Sequence, residues 1–125
     1  THLVLGAPTE QLPALFQQMD DGTTWGYDPL PALRATSNLP LFWVLGGEDD
    51  DAPSLATLEV LNGLRSELPR LQVVEFPTAE HEIEEWVTVN GERVSVGYSP
   101  GYLPMLARWI RTKRVDVRGT NAVVR

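Results

Sequence analysis

Unbroken apolar runs alternate along the chain with segments in which apolar residues recur every three or four positions. His2-Leu3-Val4-Leu5-Gly6 is too short for a helix and is closed by Gly6 and Pro8, so it predicts a buried strand. From Thr9 the apolar residues Leu12, Leu15, Phe16 and Met19 fall at helical spacing until Asp20-Asp21-Gly22 stops the pattern, which predicts a short amphipathic helix. Residues 23–40 hold Gly26, Pro29, Pro31 and Asn38 and read mainly as a connecting loop, with Leu30 and Leu33 compatible with one helical turn.

Leu41-Phe42-Trp43-Val44-Leu45 has the aromatic and branched content of a strand covered on both faces, and it ends at Gly46-Gly47. After Pro53, Ser54 is placed to cap a helix whose Leu55, Leu58, Leu61, Leu64 and Leu68 form one apolar stripe that ends before Pro69. Leu71 to Phe76 predicts a third strand, closed by Pro77. Strands alternating with helices predict an α/β fold, with a parallel sheet of about three strands and right-handed crossovers. The rhythm then breaks, because Trp86–Val89 and Arg93–Val96 flank Asn90-Gly91, a pair suited to the positive φ angles of a type I′ hairpin turn. Residues 100–113 predict a closing helix with Tyr102, Leu103, Leu106, Trp109 and Ile110 on one face and cations toward its C-terminal end. Val115 to Arg125 has no clear period and fits either a short strand or a frayed tail, and no internal repeat is present.

A chain of 125 residues with 42% hydrophobic content is enough for one soluble domain or part of one. A net charge of -7 argues against a nucleic-acid partner, since phosphate binding needs clustered Lys and Arg, and these are sparse before the last fifth of the chain. That basic stretch reads as a solvated helix end. The absence of cysteine excludes disulfides and thiolate metal sites but leaves the compartment open, with the cytoplasm as the default. No apolar run approaches the roughly 20 residues of a membrane span. The abrupt start on a strand-like segment, without Met, raises the expectation of a piece cut from a longer protein.

In parallel α/β sheets the loops at the carboxyl ends of the strands gather the functional groups. One such loop is Gly46-Gly47-Glu48-Asp49-Asp50-Asp51-Ala52-Pro53, and the next is Pro77-Thr78-Ala79-Glu80-His81-Glu82-Ile83. A general-base histidine needs a carboxylate that fixes its tautomer and stabilises the imidazolium, and adjacent strand ends can bring Asp49 and His81 together. The acidic residues Glu48 to Asp51 and Glu80, Glu82, Glu84 and Glu85 could serve a hard cation, but they lack EF-hand spacing and read better as solvated charge, so no metal or cofactor is expected. His2 reads as structural, and Phe42, Trp43, Trp86 and Trp109 as core.

With these loops the chain resembles the second half of the α/β-hydrolase superfamily. Gly46, Asp49 and Pro53 match an apolar strand followed by G-x-x-D-x-x-x-P, and Phe76-Pro77-Thr78-Ala79-Glu80-His81 is similar to the turn that leads to the family's histidine. The closing helix with Trp109 is similar too, and the resemblance covers roughly residues 1–113, with Thr1 to Pro8 as the strand after the nucleophile-bearing helix. It implies three layers, a triad acid at Asp49 and a general base at His81, with Asp50 or Asp51 as substitutes if the loop register differs. It further implies hydrolysis of a small-molecule ester or a peptide, and a partner half of the domain upstream of Thr1 that carries the serine. Nothing before Asp49 offers the G-x-S-x-G elbow. Gly97-Tyr98-Ser99-Pro100-Gly101 matches it literally, yet Pro100 lacks the N–H that would serve an oxyanion. Ser99 reads instead as the N-cap of the last helix, with Pro100 as its first residue. A second reading is a non-catalytic interaction module on a hydrolase-like half-fold, which could form a homodimer through an exposed sheet edge.

Overall fold

The computed structural model describes residues 28–125, so the strand at His2 to Gly6, the helix after Thr9 and the placement of His2 lie outside the described residues. Pro31 to Arg125 form one compact unit. A six-residue helix α1 (Leu30–Ala35) occupies the segment that allowed one helical turn. Strand β1 (Leu41–Gly46) runs through helix α2 (Ser54–Gly63) into strand β2 (Leu71–Phe76), and the two strands pair in parallel from Leu41↔Leu71 to Gly46↔Phe76.

A hairpin follows, β3 (Glu84–Val89) and β4 (Glu92–Tyr98), turning on Asn90 (φ 54°) and Gly91 (φ 85°) as the type I′ expectation requires. Helix α3 (Tyr102–Thr112) and a two-residue strand β5 (Val123–Val124) complete the order. β5 pairs antiparallel with β2, so the described three-stranded sheet is mixed, where an all-parallel sheet was expected. β5 docks because Arg125 donates its amide to the Val73 carbonyl (3.0 Å) and its guanidinium to Glu75, a buried carboxylate one residue from the end of β2. A buried charge is tolerated only when paired in this way.

The core lies on β2. Val74, Phe76, Ala79 and Ile83 cluster with Met105 of α3, and Phe42 and Val44 of β1 pack against them. Phe42 stacks on Trp109 at 5.3 Å, and Phe76 meets Tyr102 edge-on at 5.7 Å, so α3 crosses both strands on one face. Leu71 and Val73 alternate with this set along the strand and are buried as well, as are Leu61, Leu64 and Leu68.

Several local expectations are corrected. The helix α2 stops at Gly63, which weakens a helix, and Leu64 and Leu68 reach the core from the turns beyond it. Leu55, at the start of the expected stripe, is 81% exposed. In α3 Leu103 and Ile110 face solvent while Met105 is the buried residue. Trp86 is exposed on the hairpin and is not a core residue. Ser54 does not cap α2, because its hydroxyl donates to the Gly46 carbonyl at 2.6 Å. Among the described residues no helix is long and apolar enough to cross a membrane.

Phe76 has no exposed surface and joins both strands to α3. Phe76→Ala is expected to cost about 3–5 kcal/mol. Urea unfolding followed by tryptophan fluorescence checks this, and an unchanged midpoint would contradict the assigned core.

Candidate active site

The in-register pairing of β1 and β2 ends both strands at one level, Gly46 beside Phe76, so their following loops leave the sheet side by side. Glycine then allows those loops to touch through their backbones. A Cβ on Gly46 would lie 2.6 Å from the Ala79 carbonyl oxygen, and one on Gly47 would lie 2.5 Å from that of Pro77. Neither position has room for a side chain. The close approach is fastened by two hydrogen bonds, from the Gly47 amide to the Phe76 carbonyl (2.8 Å) and from the Glu48 amide to the Ala79 carbonyl (2.9 Å).

Two residues beyond Gly47 the chain presents Asp49, and two beyond Ala79 it presents His81. Asp49 Oδ2 and His81 Nδ1 are 3.0 Å apart. The other carboxylate oxygen, Oδ1, accepts the amides of Ala52 (2.7 Å) and Asp51 (2.9 Å), which locks the carboxylate in its own loop. The Asp49 side chain is 7% exposed and that of His81 is 55% exposed, so the acid is buried behind an accessible imidazole. Asp50 and Asp51 make no hydrogen bond to His81 among the described residues, which leaves Asp49 as the partner acid.

The two groups reinforce each other's charge. Burial pushes the Asp49 carboxyl upward, but the Ala52 amide, the His81 imidazole and the Asp51 amide together hold it below its ordinary value. The hydrogen bond and charge of Asp49 raise the affinity of His81 for its proton, and Asp51 and Glu82 add to this. His81 lines two clefts. One, of about 230 Å³, has Asp49, Ser54, Thr57 and the apolar residues Trp43, Val44 and Leu45 in its wall. The other, of about 180 Å³, is bounded by Asp51, Glu80, Glu82, Glu84 and Trp86. Arg93 contacts two residues of that cleft, its guanidinium 5.3 Å from the Trp86 ring centroid and ion-paired with Glu80. Among the described residues no three His, Asp or Glu side chains converge as a metal cluster.

Ser99 is neither a cap nor exposed. Gly101 (φ 80°) occupies the N-cap position of α3, and Ser99, 2% exposed, donates its hydroxyl to Glu85 Oε1 at 2.9 Å. Glu85 also accepts from Thr78 Oγ1 and Asn121 Nδ2, tying the histidine loop to the C-terminal segment. These partners, like Arg93 and the loop contacts of Gly46 and Gly47, escaped sequence reasoning. The signal for the glycines was present as two consecutive residues without Cβ at a strand end. No protein-family model matches the chain, and no curated protein or solved structure was found to match it.

His81, with its raised value, contributes stability that is complete below the ordinary 6.5 and is lost as pH rises through the raised value. Asp49, with its lowered value, contributes stability that is complete above the ordinary 3.8 and is lost as pH falls through the lowered value. Their contact therefore supports the fold fully between those two pH values. Asp49→Asn is expected to bring His81 back down toward 6.5, and Gly47→Ala to do the same while costing about 1–3 kcal/mol through overpacking. An NMR titration of the imidazole in each variant measures this, and an unmoved His81 in Asp49→Asn would deny the contact in solution.

Proposed function

We propose that Asp49 and His81 are the acid and general base of a serine hydrolase that acts on an ester or amide bond, with the nucleophilic serine outside this chain. The observation that carries this reading is the Nδ1 to Oδ2 hydrogen bond made by loops from adjacent parallel strand ends. With Nδ1–H donated to an ionised carboxylate, Nε2 is left as the basic nitrogen of the ring. Among the described residues it makes no hydrogen bond, and it is available to take a hydroxyl proton and return it to the leaving group. Asp49 stabilises the imidazolium formed between those two steps. On this reading the strands and helices are the second half of a three-layer α/β-hydrolase, in which the acid and the histidine follow adjacent strands. The cleft beside Trp43, Val44 and Leu45 offers an apolar wall for the acyl part of a small ester or peptide.

A second reading draws on the hairpin. Val87, Val89 and Val94 share one of its faces and are all exposed, an apolar patch of the kind that marks a protein–protein contact and so supports an interaction module. Sedimentation separates the two, since a self-associating chain without hydrolytic activity in its full-length parent fits only the module.

The isolated chain is expected to leave activated esters unhydrolysed, and a fluorophosphonate probe to leave Ser99 unlabelled. In the protein that supplies the serine, His81→Ala and Asp49→Asn are each expected to lower kcat by about 10⁴-fold. Because its proton is held more tightly than usual, wild-type kcat/KM should rise with pH through a value above 6.5. Steady-state assays check both, and activity surviving His81→Ala would remove that residue from the mechanism.

A further inference from the structure

Half of the chain's ten Lys and Arg residues fall between residues 108 and 118, in a protein of net charge -7. The fold brings Arg108, Lys113, Arg114 and Arg118 to the foot of the sheet. Gln72, near the start of β2, donates Nε2 to the Lys113 carbonyl (3.0 Å) and accepts the Val115 amide on Oε1 (2.7 Å), which pins the end of α3 there. The acidic loops with Asp49 and His81 leave the opposite end of β2, roughly 17 Å away by strand rise. Charge is thus separated along the strand axis.

At the basic end lies a cleft of about 320 Å³ lined by Arg108, Thr112, Arg114, Val115, Asp116 and Arg118. Asp116 organises it. Arg118 grips both carboxylate oxygens through Nε (2.8 Å) and Nη2 (2.7 Å), and Arg108 bonds the same group through Nη1. The Asp116 carboxyl is held far below its ordinary value, first by the Arg118 side chain, so it stays ionised and neutralises only one of three guanidinium groups. Arg114 makes no side-chain hydrogen bond or ion pair among the described residues. A helix C-terminus would ordinarily repel an anion. Here its carbonyls are covered: that of Arg108 by the Thr112 hydroxyl, that of Trp109 by the Lys113 amide and that of Ile110 by Lys113 Nζ.

We propose that this cleft binds a small ligand through a phosphate or carboxylate group, with Arg114 and Arg118 as its principal donors and Arg108 held in place by Asp116. Arg118 and Arg108 are held by Asp116 yet keep N–H groups that those bonds do not use, and the Arg114 guanidinium makes no described bond, so all three can donate to a planar or tetrahedral oxyanion. The reading is independent of the hydrolase proposal, because it uses no residue of that site.

Arginine side-chain and amide NMR signals, followed at low ionic strength, test it with inorganic phosphate in one arm and acetate in the other. Saturable shifts confined to Arg108, Arg114, Arg118 and the amides of residues 112–118 are expected, with phosphate binding more tightly. Arg114→Ala, which removes no described contact, should weaken phosphate about tenfold, as should Arg118→Ala. His81→Ala should leave the affinity unchanged. Shifts that never saturate, that sodium chloride reproduces, that survive Arg114→Ala, or that appear only with an oligonucleotide would overturn the proposal.

Discussion

The close approach of two backbones at the end of β1 and β2 is the constraint on which the site depends. Parallel pairing without stagger brings Gly46 level with Phe76, and only residues lacking Cβ let the next loop press against Pro77 and Ala79. Two backbone hydrogen bonds then make the loops one unit. The side chains of Asp49 and His81 meet because their backbones are already joined, so their contact needs little additional ordering. An ion pair that had to hold two free side chains in an exposed setting would contribute almost nothing.

Burial divides the labour within the pair. Asp49, almost wholly covered and bonded through both oxygens, is a fixed charge, whereas His81 is open to solvent on one side and free to exchange its proton. The same polarity extends across the molecule. Carboxylates crowd the loops around His81, and guanidinium groups crowd the other end of the strands, so an ionic ligand meets a different field at each end. Salt weakens both fields, and the Asp49 contact less than a contact between two exposed groups, since its carboxylate is withdrawn from water.

Strands and the hairpin were legible because their signals are local: an apolar run from Leu41, another from Leu71, and Asn90-Gly91 between alternating arms. The pairing of Asp49 with His81 was legible because equal-length strands followed by loops leave few other arrangements. Other features depend on contacts distant in sequence. Glu75 reads as an ordinary strand residue until Arg125, fifty positions later, pairs with it and turns the sheet mixed. Ser99 carries the composition of a cap, yet Gly101 adopts the left-handed conformation that starts α3, and the serine is drawn to Glu85. Helical periodicity promised burial for Leu103 and Ile110, but the stack of Trp109 on Phe42 rotates α3 toward Met105.

Ile83 shows how the histidine loop keeps its shape. Its φ of 59° is in the left-handed region, where a β-branched residue is an outlier that costs about 1–3 kcal/mol. Three bonds surround it: its amide donates to the Glu80 carbonyl, its carbonyl accepts the Ser99 amide, and the Glu80 amide reaches the Glu84 carbonyl, each at 2.9 Å. Its side chain is buried in the cluster with Phe76 and Met105, a gain of about 1.5–3 kcal/mol that is comparable with the strain. An asparagine or glycine would adopt this backbone more easily but would lose the anchor. The apolar side chain points the turn inward, and the two residues before it, His81 and Glu82, are thereby held at the surface. Strain at Ile83 and exposure at His81 are thus two consequences of one tight turn fastened to the core.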